Sequence, residues 1–218
     1  GLMVGAFLSG WFFMIKTCVS SPEQEDPNGL LKDFPAGVGE YFLSVLGLML
    51  NTMFISVLLI LVSYFVGMKL IGDIGITPET LTKGMESFTA MKAFLGSLTQ
   101  EQLFKLNAWN MLLFFTMSVT YFLIMFYSPA LFFKEKNPFK AYFVSLKDLF
   151  SKKFFTNFGL FLILFVSYFI LSIFTTLFGA NVVTHFIFTL INFYYLVFIA
   201  VLVFKYYYEN YVKINEIV

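Results

Sequence analysis

The side chains that could do chemistry are few and stand far apart. His185 is the one histidine and Cys18 the one cysteine. A lone cysteine forms neither an intrachain disulfide nor a thiolate metal cluster. A metal centre needs several donors at fixed spacing, and no His, Cys or acidic residue stands near His185 in sequence. That histidine sits four positions after a turn, where a helix-end hydrogen bond is its ordinary role. Asn51, Asn110, Asn157 and Asn192 interrupt apolar runs. Amides in such runs commonly bond helix to helix; a ligand pocket lined by Asn110 and Asn192 is the alternative. The chain has no HExxH, no Gly-x-Ser-x-Gly elbow and no phosphate loop. No catalytic, metal-binding or cofactor-binding residue is assigned, no cofactor is implied, and the chain is expected not to be an enzyme.

The elements that carry these residues are set by composition. Apolar residues make up 59% of the 218, charged ones only 12%, and 32 are Phe. A soluble chain of this length cannot hide so much apolar surface, whereas a bilayer covers it. All 14 basic residues are lysine and the formal net charge is +1, which gives no electrostatic case for a nucleic-acid partner. The partners expected are membrane lipids, with a protein partner or a second copy of the chain beside them.

About 20 apolar helical residues cross the hydrocarbon. Tyr41–Met68 and Leu106–Phe133 are uncharged, and Phe154–Phe204 runs 51 residues without Lys, Asp or Glu. As one helix the last would reach roughly 75 Å, so it must fold back, and Gly179-Ala180-Asn181 is the one credible turn. The reading is an all-α polytopic bundle, a single transmembrane domain over 1–218. Its spans lie at about 1–18, 41–68, 106–133, 154–178 and 182–206. The opening residues look like the remainder of a membrane helix, and a helix before them would make six. An outer-membrane barrel is excluded, because its strands alternate apolar and polar. Phe161-Leu-Ile-Leu-Phe-Val does not.

Lysines set the orientation. Six of them lie between Phe133 and Phe154, which places 134–153, and with it the C-terminal end, on the cytoplasmic side of a cell inner (plasma) membrane. By parity 69–105 is outside and 16–40 inside; the acidic residues of 16–40, including Asp33 and Glu40, read as a solvated loop. Asn137-Pro138 is a cap followed by proline at the first helical position. Behind it a helix over about 138–150 carries Phe139, Tyr142, Phe143, Leu146 and Phe150 on one side, and Lys140, Lys147 and Asp148 on the other. It is expected to lie in the interface, with Lys140, Lys147, Lys152 and Lys153 contacting lipid. An outer amphipathic segment over about 78–98 starts at Thr77-Pro78 and breaks at Gly96-Ser97. Thr99 to Gln102 fits a capping box for the next span. Leu31–Pro35 followed by Tyr41 echoes the same plan, a short interfacial piece and then a long helix. Pro129 should kink or end its span. No strong small-xxx-small stripe stands out.

Phe126-Tyr-Ser-Pro-Ala-Leu-Phe-Phe, then Asn137-Pro-Phe-Lys-Ala-Tyr-Phe-Val-Ser-Leu-Lys-Asp-Leu-Phe and a long apolar hairpin, resemble the YciC-like group of polytopic membrane proteins. The same group includes the membrane domain attached to some glycerophosphodiester phosphodiesterases. The resemblance covers about residues 110–206 and implies a six-span bundle. It implies no chemistry, because the catalytic residues of the attached phosphodiesterases lie in a separate soluble domain.

The long uncharged runs Tyr41–Met68, Leu106–Phe133 and Phe154–Phe204 hold no Lys, Asp or Glu, and His185 is their one histidine, which argues against proton- or ion-coupled work. The expected function is a structural, assembly or membrane-organising role without catalysis. The alternative is a small-molecule or lipid transporter or channel subunit with an uncharged pathway.

Overall fold

The structure, a computed structural model, describes residues 1–21, 27–77, 82, 86–178 and 181–213. Among the described residues there is helix and no strand: α1 (Leu2–Ser20), α2 (Pro27–Leu70), α3 (Phe88–Ser97), α4 (Gln100–Ile124), α5 (Tyr127–Phe133), α6 (Pro138–Leu149), α7 (Phe154–Phe178) and α8 (Val182–Tyr207). A π-helical turn, Tyr208–Val212, continues α8. Five segments are long and apolar enough to cross a membrane: Leu2–Ser20, Leu31–Leu70, Gln100–Phe133, Phe154–Phe178 and Val182–Val212. Their outward faces leave large apolar side chains such as Leu43, Phe104 and Ile163 uncovered. Water does not tolerate that surface and lipid does. This is the architecture of a multi-pass membrane protein.

Two expectations about boundaries change. The piece at Leu31–Pro35 is not a separate interfacial segment, because α2 runs unbroken from Pro27 to Leu70 with Pro35 inside it. Proline deletes one hydrogen bond, to the carbonyl four residues earlier, and here that residue, Leu31, is exposed. The span ending near Pro129 breaks one turn earlier than the proline itself. α4 stops at Ile124 and α5 starts at Tyr127, so the gap falls at Met125, the i−4 position that the Pro129 ring would meet.

The helix ends follow their sequence signals. Asn137 Oδ1 accepts from the backbone N–H groups of Phe139 and Lys140 at 3.0 and 3.3 Å. Thr99 and Gln102 exchange a reciprocal pair, Thr99 N–H to Gln102 Oε1 at 3.0 Å and Gln102 N–H to Thr99 Oγ1 at 3.2 Å. Asn181, read in the sequence only as part of a turn, has extended backbone and caps α8 by accepting from Thr184 N–H at 2.9 Å; its neighbours Gly179 and Ala180 lie outside the described residues. The start of the outer segment at Pro78, with Leu81 and Met85, also lies outside them, and the described part is α3, capped by Ser87.

The chain divides into two compact units. The first comprises Gly1–Met53 and Tyr121–Val218. In it α1 and the first half of α2 run antiparallel and very close. A Cβ on Gly10 would sit 2.6 Å from the Phe34 ring, and one on Gly5 2.7 Å from Leu46. Gly5 and Ser9 are both buried, so a small-xxx-small pair exists after all and is used within the chain. Tyr41, Val45, Tyr127, Leu131, Phe132 and Phe204 form the core beside it. Phe122 meets four rings edge-on, those of Phe150, Phe154, Phe158 and Phe161.

The second unit is Phe54–Thr120. Within it α2 and α4 are joined by a Ser63–Thr116 hydroxyl pair at 2.5 Å. The Trp109 indole N–H donates to the Gly72 carbonyl at 3.0 Å. Gly72 has φ +81° and its N–H, like that of Ile71, donates back to the Gly67 carbonyl, a left-handed stop that suits glycine.

Candidate functional site

The polar side chains of the first unit collect where α6 meets α7 and α8. Ala141, Ser145 and Leu149, four residues apart, are the fully buried face of α6. At the end of that helix Asn157, itself fully buried on α7, uses every hydrogen-bonding position of its amide. Its Nδ2 donates to the carbonyls of Leu149 at 2.8 Å and Asp148 at 3.2 Å. Its Oδ1 accepts from the hydroxyls of Tyr206 and Tyr211, both at 2.9 Å. The last turn of a helix leaves carbonyls without intrahelical partners, and here the next span supplies them.

Beside the amide lies a charged pair. The Tyr207 hydroxyl donates to Asp148 Oδ2 at 2.5 Å, and Lys134 Nζ reaches the same oxygen at 2.7 Å. The Lys134 ammonium also stands 5.2 Å from the centre of the Tyr207 ring and 5.6 Å from that of Tyr211, within cation–π range. Lys153 donates to Asn210 Oδ1 at 2.8 Å. The π-turn contributes by register. It widens the helix after Tyr207, and the rings of Tyr207 and Tyr211 lie tilted to each other, 5.3 Å apart, on the side that faces Asp148, Ser151 and Asn157.

A second knot holds the other side of the α5–α6 connection. Lys16 Nζ donates to the Tyr41 hydroxyl at 2.9 Å, and that hydroxyl donates on to the Phe132 carbonyl at 3.4 Å. Tyr41 and Phe132 stack at 4.4 Å. Lys136 pairs with Glu40 at 2.5 Å. Lys134 and Lys136 therefore fasten one short connector to opposite neighbours. Asn51 completes the frame. Its Nδ2 donates to the Tyr127 hydroxyl at 3.1 Å, which donates to the Pro138 carbonyl at 2.9 Å. Burial against Tyr127 pushes the Tyr142 phenol up from its ordinary value.

The remaining candidates are placed as follows. Asn192 ties the α7–α8 hairpin, donating to Thr175 Oγ1 at 3.1 Å and Phe188 O at 2.8 Å. Ser167 and Tyr195 meet through their hydroxyls lower in the same pair. Asn110 belongs to the second unit and is exposed, next to Trp109. His185 is exposed in the first turn of α8. Among the described residues no three His, Cys, Asp or Glu side chains gather as a metal site. Lys140, Lys147 and Lys152 are exposed, while Lys153 is half-buried on Asn210.

Three sequence expectations are corrected. Asp148 is not on the outer side of α6 with the lysines, and Tyr142 is not on its open aromatic side. Both turn towards the core, because the faces of a helix are shared out at roughly 100° per residue and Asp148 falls next to Ala141, Ser145 and Leu149. Glu40 is not merely solvated, since it holds Lys136. The residues not foreseen are Asp148, Lys134, Tyr41, Tyr206, Tyr207 and Tyr211. A sequence signal for them existed: an acid, Asp148, inside the helical part of a Lys-rich stretch, and four tyrosines, 206–208 and 211, crowded at the end of an apolar run.

An apolar crevice of about 160 Å³ opens between α1 and α8, lined by Trp11, Met14, Ile15, Cys18 and Val201. The site as a whole defines a class: a helical multi-pass membrane protein whose polar side chains fasten its own helices together. No protein-family model, no curated protein and no solved structure matches the chain.

Proposed function

We propose that the chain is a non-enzymatic membrane protein of a cell inner (plasma) membrane with a structural, assembly or membrane-organising role. The observation that carries this reading is the saturation of Asn157: a fully buried amide with both donors and both acceptor positions occupied by protein. A polar group serving a passing substrate must leave capacity open, and this one leaves none. Asn51 and Asn192 are likewise engaged with neighbouring helices. The Lys-rich connection over 134–153, and with it the C-terminal side, faces the cytoplasm in this proposal. Kinship with the YciC-like group belongs to the same proposal. It is supported by the helix break before Pro129, the helix capped by Asn137 and the two spans that follow.

The test is recovery of the full chain from its native membrane in mild detergent, with crosslinking before solubilisation. A reproducible partner protein or a defined homo-oligomer is the expected result. Solute flux in proteoliposomes that disappears in a folded Asn192→Leu variant would replace this reading with transport.

A further inference from the structure

The face of α6 that points away from the core is built differently from every other uncovered surface described above. Placed on a helical wheel at roughly 100° per residue, Ala141, Ser145 and Leu149 fall on one side, all with 0% exposure. Phe139, Phe143 and the capping Phe150 fall together about a third of a turn round, at 64%, 69% and 55% exposure. Lys140 and Lys147 fall next to them, both exposed, and Lys152 follows in the turn. The helix therefore has three faces: one packed, one of bare phenyl rings, one of lysine.

The charges on this face are uncommitted. Of the two acids in this stretch, Asp148 is taken by Lys134 and Tyr207, and Glu135 accepts from the Asn137 N–H at 3.0 Å. Lys136 is taken by Glu40 and Lys153 by Asn210. Lys140, Lys147 and Lys152 make no ion pair among the described residues. Three free ammonium groups beside three exposed phenyl rings, on a helix immobilised from behind, form a surface that complements an anionic amphiphile layer. The rings suit the acyl boundary and the lysines the headgroups. A neutral surface would leave the charges unmatched, and an aqueous one would leave the rings uncovered.

The geometry points to this face of α6 as a docking surface for anionic lipid headgroups, with phospholipids of net negative charge selected over zwitterionic ones. It deepens the membrane-organising reading and takes from it only the presence of a bilayer. A membrane-organising protein with this surface gathers acidic lipid around itself.

The experiment is native mass spectrometry of the purified full chain in detergent, titrated with phosphatidylglycerol and, in parallel, phosphatidylcholine. Phosphatidylglycerol binds more tightly, and each of Lys140→Ala, Lys147→Ala and Lys152→Ala reduces that preference by about fivefold, the factor corresponding to about 1 kcal/mol per basic residue at an anionic surface. Lys92→Ala, on α3 of the second unit, leaves it unchanged. Phe143→Ala weakens both lipids alike. Equal binding of the two lipids by the unaltered chain overturns the proposal, as does a preference that survives the triple alanine variant. A preference that moves equally with Lys92→Ala also overturns it, since the charge effect is then general. The readout requires neither a protein partner nor a known orientation, so it can fail while the structural role stands, and the structural role can fail while it succeeds.

Discussion

The side-chain amide of Asn157 donates to the carbonyl of Leu149, eight residues earlier, at 2.8 Å. A membrane span thereby closes off the end of the helix that precedes it. The same amide receives Tyr206 and Tyr211 from α8 and its π-turn, so one residue joins three elements. Replacing Asn157 with Leu keeps the branched shape but removes the partner of the Tyr206 hydroxyl and of the buried Leu149 carbonyl, while Tyr211 keeps its contact with Ser151. The expected cost is about 2–4 kcal/mol, read as a drop of about 5–15 °C in the thermal midpoint of the detergent-solubilised protein. A midpoint within a degree of the parent would show that the amide is dispensable.

Asp148 and Tyr207 should behave as one unit. A double-mutant cycle of Asp148→Asn and Tyr207→Phe is expected to give a coupling of about 1–2 kcal/mol, since the bond joins a hydroxyl to a carboxylate. Independent, additive losses would mean that Lys134 alone satisfies the carboxylate.

Two glycines of α2 make opposite predictions. A Cβ on Gly47 would lie 2.5 Å from Pro138 Cγ, whereas one on Gly39 meets nothing within 4 Å. Gly47→Ala should therefore destabilise by about 1–3 kcal/mol through overpacking. Gly39→Ala should stabilise by up to about 1 kcal/mol through helix propensity. Thermal midpoints of the two variants, measured side by side, decide it.

Asn137→Ala removes the cap of α6 and should cost about 1 kcal/mol. Hydrogen exchange localises the effect: the amides of Phe139 and Lys140 lose protection first, while those of α7 do not change. Uniform loss across both helices would mean that α6 and α7 open together.

The helical class, the five apolar spans and the caps at Thr99 and Asn137 were legible in the sequence, because each rests on local pattern: run length, or a side chain reaching two or three residues along its own backbone. The inward turn of Asp148 was not. A helical wheel divides polar from apolar, and an acid among lysines is assigned to water unless its partners are known. Those partners, Lys134 and Tyr207, lie 14 and 59 residues away. The continuity of α2 was hidden for a related reason. Proline and charge at 32–35 are reliable breakers for a helix in water, yet a helix pinned against α1 by Gly10 and Gly37 tolerates the one bond that Pro35 removes. Of the candidate amides, Asn51, Asn157 and Asn192 proved to be joints between helices, and Asn110 stands apart on the surface of the second unit.

The knot at Asn157 also has a place in time. Its two hydroxyl donors come 49 and 54 residues after it in the chain. During synthesis Asp148, Leu149 and Asn157 leave the ribosome well before Tyr206, Tyr207 and Tyr211 exist. At the elongation rates of cells this is an interval of seconds. For that period the nascent protein carries an unfinished polar seam. Arrival of α8 and its π-turn closes the seam, so the amide of Asn157 is completed only by the last span of the hairpin.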